Sequence, residues 1–206
     1  ENLVDDQDWV RLTQQQFEPI QITKRLQISP SWSAVKDASE INIILDPGLA
    51  FGTGSHPTTQ LCLQWLERHL VPKQTIIDYG CGSGILAIAA KKFGAGDVLA
   101  IDIDEDALQS THYNSNRNKV VLEVISALEN VSANADIVVA NILPSPLAVL
   151  APLLSQLVKP GGQIVLSGIL VSQGQDLMNL YGQWFEMSRF KVMDEWVCLQ
   201  GSKLNS

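Results

Sequence analysis

The chain has 206 residues, enough for one α/β domain with a full hydrophobic core and a short appendage. Its formal net charge is −8 and it shows no dense basic patch, which argues against a protein that binds nucleic-acid phosphates directly. An acidic surface suits a basic partner, and it is equally typical of a protein that is acidic for solubility alone.

Three further features limit the class of protein. No apolar run reaches the roughly 18 residues that a membrane span needs. The acidic first residues lack the basic and apolar regions of a signal peptide, so we expect a cytoplasmic protein with no membrane partner. The cysteines form no CxxC pair, which predicts neither a metal site nor a disulfide framework.

The first 45 residues differ in pattern from the rest of the chain. Residues 9–16 predict a short amphipathic helix, and two alternating runs at 17–22 and 26–28 have the spacing of a hairpin. A further strand is predicted at 41–45, where a Pro-Gly pair ends it. We therefore expect residues 1–45 to form a linker helix and a small β appendage, followed by the main domain over 46–206.

The rest of the chain alternates between apolar strands and helices. Such alternation predicts an α/β fold with a doubly wound, mostly parallel sheet covered on both faces. Ligands bind to such sheets beyond the carboxyl ends of the strands. The predicted elements, in chain order, are helix 58–70, strand 75–78, helix 84–93, strand 97–102, helix 106–116, strands 120–125 and 135–141, helix 146–157, a turn at 159–162 leading into strand 163–167, helix 174–184, and strands 185–193 and 195–204.

A glycine-rich turn follows the first of these strands. Residues 78–84 read DYGCGSG, so Gly80 and Gly82 let the backbone turn sharply and approach a ligand closely. The amides of the following helix N-terminus are free to bind an anionic group. A tight turn without a ligand is the alternative. Asp78 lies two residues ahead of the first glycine.

Asp102 closes the second strand, about twenty residues beyond the glycine turn. A carboxylate there can accept hydrogen bonds from both hydroxyls of a ribose, and the neighbouring Ile103 could pack on an adenine ring. Residues 104–106 are also acidic, and we interpret those three as the start of a helix, where negative charge is favourable.

Two cofactors contain the ribose and adenine that this pair would bind. A dinucleotide fingerprint reads G-x-G-x-x-G, whereas the glycines here run G-x-G-x-G. Asp78 would repel a pyrophosphate but could support an ammonium group, directly or through water. Spacing and charge therefore favour S-adenosylmethionine, which carries an ammonium and no phosphate.

The chain also resembles a known family. DYGCGSG followed by IDID at 101–104 is similar to the first two motifs of class I methyltransferases. LDPGLAFGTGSHPTT at 45–59, together with ANIL at 140–143, resembles the PrmA family more specifically. Ser55 stands where the family pattern has Thr. Family members carry an N-terminal recognition domain, and this chain begins near the linker that follows it.

The resemblance implies a fold, an activity and a partner. The fold is a Rossmann-like, seven-stranded, mostly parallel sheet with an antiparallel C-terminal strand, so residues 46–206 would form an S-adenosylmethionine-binding methyltransferase domain. The activity is N-methylation of lysine and/or N-terminal amines. The substrate is the large-subunit ribosomal protein number eleven, a basic protein, with no direct contact to nucleic acid.

The resemblance also assigns site residues. Thr59, Gly80, Asp102 and Asn141 match the family's cofactor contacts, although Thr59 could merely cap its helix and Asn141 could merely cap a loop. Cofactor binding is thus expected from Thr59, Asp78, Gly80, Gly82, Asp102, Ile103 and Asn141. Asn141 and Phe51 are the expected catalytic residues. A lid and its surroundings near the substrate comprise Phe51, Gly52, Thr53, Gly54, His56, Ile142 and Leu143, of which His56 has a purely structural alternative.

Four alternatives stay open at this point. The methylated amine could belong to another protein or to a small molecule. Methyltransferases that act on adenine or glutamine amides typically show NPPY or DPPY at the end of the fourth strand, where this chain has NILP and lacks the aromatic stacking platform. A nicotinamide-dependent oxidoreductase conflicts with the glycine spacing. A cofactor-binding regulator without catalytic activity is compatible with the motifs but gains no support from them.

Overall fold

The computed structural model describes residues 18–33, 41–46, 54–129, 131 and 133–204. The helix predicted over residues 9–16 lies outside this part of the chain. Five helices and ten strands are described, in chain order β1 (Ile20–Gln21), β2 (Leu26–Ser29), β3 (Ile41–Ile44), α1 (Pro57–His69), β4 (Ile76–Tyr79), α2 (Ile85–Lys92), β5 (Val98–Asp102), α3 (Glu105–Arg117), β6 (Glu123–Ser126), β7 (Ala135–Asn141), α4 (Pro144–Leu157), β8 (Val158–Leu170), α5 (Val171–Tyr181), β9 (Phe185–Met193) and β10 (Trp196–Lys203).

Seven of the strands form the main sheet, in the order β6-β5-β4-β7-β8-β10-β9. The pairs from β6 to β8 are parallel, and β10 runs antiparallel to both of its neighbours. The predicted α/β fold with an antiparallel C-terminal strand is therefore confirmed. Strand order reverses between β4 and β7, and the carboxyl ends of these two strands are where such a sheet binds ligands.

Alternation along the strands sends side chains to two separate hydrophobic clusters. Even-numbered residues of β4 and β5, such as Ile76 and Ala100, pack under α1 and α2 together with Ile137 and Val139 of β7 and Val165 of β8. Their sequence neighbours pack under α4 and α5 on the other face, as Ile77, Ile101, Val138 and Ile164 do. The same alternation determines which polar side chains lie together at the carboxyl ends of the strands.

A second sheet contains β1, β2 and β3. The predicted hairpin is present, with Ile20 opposite Ile28. β3 adds to β2 in parallel, a pairing that the local sequence does not indicate. Leu26 and Ile43 of this sheet are fully buried in the same cluster as α1 and α2, so the small sheet packs directly on the main domain.

Three boundaries differ from the prediction for identifiable reasons. α5 starts at Val171 rather than 174, because Gln173 Oε1 accepts a hydrogen bond from the Leu170 amide at 3.0 Å and caps the helix there. β6 starts at Glu123 rather than 120, because the Val120 amide donates to Ser115 O and closes the end of α3 instead. β8 includes the predicted turn 159–162, since Val158 already pairs with Ala135.

Among the described residues, no helix combines the length and the apolar character that crossing a membrane would require.

Candidate active site

The glycine-rich turn between β4 and α2 is folded against the end of β5. Gly80, Gly82 and Gly84 have φ angles of 78°, 54° and 78°, a left-handed conformation that favours glycine. The amides of Gly80 and Cys81 donate to the Ile101 carbonyl at 2.8 and 3.0 Å. A Cβ at Gly80 would lie 2.3 Å from Ile142 Cγ2, so a side chain there would collide with Ile142.

Asp102 at the end of β5 faces this turn. Its Oδ2 accepts from the Gly82 amide at 2.9 Å and its Oδ1 from the Asp104 amide at 3.1 Å. The neighbouring acid has a different role, because Asp104 is the N-cap of α3 and accepts from the Asp106 amide at 3.0 Å. Each Asp102 oxygen can accept another hydrogen bond, so the carboxylate can bind a diol while it holds the turn.

Asp78 lies beneath the turn and is 1% exposed. Its Oδ2 accepts from the Ala87 amide in α2 at 3.0 Å, whereas its buried Oδ1 has no hydrogen-bond partner in the described part of the chain. Burial, with a smaller effect from nearby Asp102, raises the pKa of Asp78 to about 7. A buried oxygen without a partner is costly, and a cationic donor would satisfy it.

Thr59 and Asn141 meet at the ends of α1 and β7. Thr59 is fully buried, and its Oγ1 accepts from Asn141 Nδ2 at 3.3 Å. The capping role that was open for Thr59 belongs to His56, whose ring accepts from the Thr58 amide at the N-terminus of α1. Asn141 Oδ1 is buried with no hydrogen bond from any described residue, so its capacity to accept one is unused there.

The remaining predicted site residues differ in their contacts and in how far they are exposed. Gly54 has φ +87°, and a Cβ there would lie 2.2 Å from Ile28 Cδ1. Ile142 packs over Gly80, whereas Leu143 and Ile103 are 68% and 70% exposed at the rim. Phe51, Gly52 and Thr53 lie outside the described residues, so their predicted roles rest on the sequence alone.

The predicted cofactor residues come together on one face of the sheet. Asp78, Asp102 and Asn141 have the parity of the strand residues that pack under α1 and α2. The bonds from Ala87 in α2 to Asp78 and from Asn141 to Thr59 in α1 agree with that placement. A glycine turn, two carboxylates and an amide therefore lie together at the carboxyl edge of one face of the sheet, and we refer to this group of residues as the cleft.

Two residues at this cleft are missing from the sequence prediction. Gly168 has φ +84°, and a Cβ there would lie 2.3 Å from the Ile142 carbonyl oxygen, so the end of β8 supports the loop after Asn141. Trp196 and His56 form a T-shaped aromatic pair with ring centroids 4.9 Å apart. The role of Gly168 could have been predicted, because a glycine directly follows the predicted strand 163–167. The contact of Trp196 with His56 could not, because nothing in the sequence around Trp196 indicates it.

Cys81 lies within the glycine turn but is not activated as a nucleophile. Its Sγ is 3.3 Å from Thr111 Oγ1, and the side chain is buried. Burial and the neighbouring Asp78 raise the pKa of the Cys81 thiol well above its ordinary value, which keeps the thiol protonated. The chemistry of the cleft is thus carried by oxygen and amide groups.

Comparison with known proteins shows the family to which the chain belongs. The fold is that of the class I methyltransferases. The model of the family "Ribosomal protein L11 methyltransferase (PrmA)" matches residues 1–204, and the chain belongs to this family.

Relatives with the same printed name, ribosomal protein L11 methyltransferase, show the extent of the likeness. One from Paraburkholderia phytofirmans is 52% identical over 205 residues, covering 98% of this chain and 68% of the relative. One from Cupriavidus metallidurans is 53% identical over 202 residues, covering 97% and 66%. The chain thus spans about two thirds of the length of these relatives.

Solved structures agree with the fold. The crystal structure of ribosomal protein L11 methylase from Lactobacillus delbrueckii subsp. bulgaricus superposes with a TM-score of 0.84 at 34% identity, covering 92% of this chain and all of that one. The 16S rRNA methyltransferase RsmC of T. thermophilus, solved with AdoMet and guanosine, has a TM-score of 0.63 at 22% identity, covers 75% of this chain and 45% of its own, and supports the fold alone.

Proposed function

We propose that this chain is an S-adenosylmethionine-dependent N-methyltransferase that modifies lysine and/or N-terminal amines of ribosomal protein L11. Membership of the family and the printed names of relatives at 52–53% identity support the reaction and the substrate. A ribosomal protein substrate also favours a cytoplasmic site of action. The observation that carries the proposal is the pair of buried, unsatisfied oxygens, Asp78 Oδ1 and Asn141 Oδ1, on one face of adjacent strands.

The donor groups of the cleft fit the parts of this cofactor. Asp102 suits the ribose hydroxyls, and its bond to the Gly82 amide holds the glycine turn beside them. Asp78 Oδ1 suits the ammonium group, directly or through water, and the Thr59 hydroxyl suits the carboxylate. Ile103 is exposed at the rim, where it can pack on the adenine ring.

The bound cofactor supplies an activated methyl group on a sulfonium, so the protein contributes proximity and alignment. Asn141 Nδ2 is engaged by Thr59, which leaves Oδ1 as the atom that accepts an N–H from the incoming amine. That bond directs the nitrogen lone pair toward the reacting carbon. Alignment of this kind can lower a barrier by roughly 7–11 kcal/mol.

The substrate amine has to be neutral before it attacks. A lysine amine with an ordinary pKa of about 10.4 loses its proton more readily in a closed, desolvated cleft, and an α-amine at about 8 needs less help. A backbone carbonyl beside Asn141 can accept a hydrogen bond from the ammonium, and we assign the proton that leaves it to water.

The cofactor assignment is tested by calorimetric titration with S-adenosylmethionine and, in parallel, with NADH. We expect saturable binding of the former alone, lost in Asp102→Ala and kept in Asp104→Ala, since the Asp104 side chain caps α3. Binding of NADH, or of neither ligand, would overturn the proposal and revive the oxidoreductase alternative.

The proposed positioning role of Asn141 has a separate test. Asn141→Ala should weaken cofactor binding by a small factor only, since Asn141 is one of several expected contacts, but it should methylate ribosomal protein L11 at a rate lower by about 100-fold or more, because one oriented hydrogen bond is lost at the reacting atom. Mass spectrometry of L11 after single turnover measures this. Full turnover in the variant would exclude the role assigned to the amide oxygen.

A further inference from the structure

The first turn of α1 crosses the carboxyl edge of three neighbouring strands. Thr59 Oγ1 contacts Asn141 at the end of β7, and the Thr58 carbonyl accepts from Ser167 Oγ at 3.2 Å near the end of β8. His56 contacts Trp196 at the start of β10, with ring centroids 4.9 Å apart and planes inclined by 67°. One helical turn therefore links the amide centre of the cleft to an aromatic pair.

Trp196 lies on the same face of the sheet as Asn141. β10 is antiparallel, so its first residue is at the edge where the parallel strands end, and Trp196 pairs with Leu170 of β8. Cys198, two residues further along, is buried under α1, and Trp196 packs against that same cluster. His56 and Trp196 are both only partly buried.

The aromatic pair lies on the side of Asn141 that is away from the cofactor residues. The glycine turn and Asp102 belong to β4 and β5, while β8 and β10 continue the sheet beyond β7 in the opposite direction. Asn141 pairs with Ser167, three residues before Leu170. The backbones of Asn141 and Trp196 are thus about 14 Å apart, given strand spacings of about 4.8 Å and rises of about 3.3 Å per residue.

We propose that the His56–Trp196 pair forms the wall of the substrate channel, against which the aliphatic stem and the cationic amine of a lysyl side chain lie on their way to Asn141. The inference rests on the proposed methyltransferase function and deepens it, because it selects lysyl over α-amino substrates. An indole face attracts ammonium and methylammonium groups, and its area packs against methylene groups. The exposed acids of the adjoining turn, Asp194 and Glu195, give the channel mouth a charge that suits a cationic side chain.

Steady-state methylation of ribosomal protein L11 by Trp196→Ala, Trp196→Phe and His56→Asn tests this. We expect Trp196→Ala to raise KM for L11 about tenfold, in keeping with a lost cation–π and packing contact, while the dissociation constant for S-adenosylmethionine stays unchanged. Trp196→Phe should recover most of the loss. His56→Asn keeps a good N-cap for α1 but removes the ring, and we expect about a threefold rise in KM.

The ratio of lysine to α-amine methylation separates a substrate contact from a structural one. Mass spectrometry should show that Trp196→Ala loses lysine methylation more than N-terminal methylation, since an α-amine has no aliphatic stem. Trp184→Ala is the matched control: Trp184 is also a partly buried tryptophan, but it lies against Tyr181 in the cluster on the other face. It should leave both KM and the ratio unchanged.

The variants distinguish a failure of this inference from a failure of the proposed function. If Trp196→Ala fails to fold in a thermal melt, Trp196→Phe and His56→Asn carry the test. Wild-type protein that methylates L11 while none of the folded variants changes KM or the ratio would overturn the inference and leave the proposed function intact. Wild-type protein that binds the cofactor but modifies no amine of L11 contradicts the proposed function, and with it this inference.

Discussion

The buried carboxyl of Asp78 couples protonation to stability and to ligand binding. Its pKa is raised to about 7 from an ordinary value of 3.8, chiefly by burial. Between these two values the folded protein holds a proton that the unfolded chain releases, so stability falls as pH rises from about 4 to about 7 and then levels off. A cationic ligand beside Oδ1 would favour the ionised form and offset that loss.

Asp78→Asn should therefore change stability and binding in opposite directions. At about pH 8 the ligand-free variant should be more stable than the wild type by up to a few kcal/mol, because it has no buried charge to desolvate. It should bind S-adenosylmethionine about 10–100-fold more weakly there, since a charge-assisted hydrogen bond is lost. Urea denaturation and calorimetry at about pH 6 and about pH 8 measure both effects.

The pH dependence of binding provides the internal check. Wild-type affinity should fall as pH drops through about 7, where Asp78 takes up its proton, and the variant should show no such change. Asp136→Asn is the control, because Asp136 pairs with Lys159 at the opposite end of β7, away from the cleft. Equal affinities of wild type and Asp78→Asn at both pH values would show that the carboxylate does not contact the ligand.

At the scale of elements, Asn118 fastens β3 to the main domain. Its Oδ1 accepts from the Ile44 amide at 2.8 Å, and its Nδ2 donates to the Ile44 carbonyl at 2.7 Å. Asn118→Ala should lower the free energy of unfolding by about 2–3 kcal/mol, because buried backbone groups lose their partner. Asn116→Ala, an exposed change on the same helix, should shift it by less than about 0.5 kcal/mol. Matching urea midpoints for the two variants would contradict this account of how β3 is held.

Gly168 supports the loop that carries Asn141. Gly168→Ala would place a methyl group 2.3 Å from the Ile142 carbonyl oxygen and displace the loop, so we expect a turnover loss of at least tenfold with a smaller change in cofactor affinity. Gly161→Ala is the matched control: its φ is also positive, +72°, but a Cβ there would meet open space. It should lose about 1 kcal/mol of stability and keep its turnover. Similar kinetics of the two variants would exclude a supporting role for Gly168.

The features that the sequence predicts depend on residues close together in the chain, whereas the features it misses depend on residues far apart. Apolar alternation and turn residues act locally, so the order of strands and helices from β4 to β10 could be predicted, and the polar residues at strand ends followed from that order. Asn118 and Trp196 depend on contacts to residues far away in the chain, Ile44 and His56. Their positions follow from how β3 and β10 pair, which local pattern does not encode.

The charge of the whole molecule leads to the last prediction. With a net charge of −8, the chain should attract a basic protein substrate through long-range forces that salt screens. We expect KM for ribosomal protein L11 to rise about tenfold between about 0.05 and 0.5 M salt, while kcat at saturation changes little, because screening affects encounter rather than alignment. A short, otherwise uncharged peptide that carries one lysine should show a nearly constant KM over the same range. If protein and peptide respond alike, the acidic surface serves solubility, and recognition of the substrate is confined to the cleft.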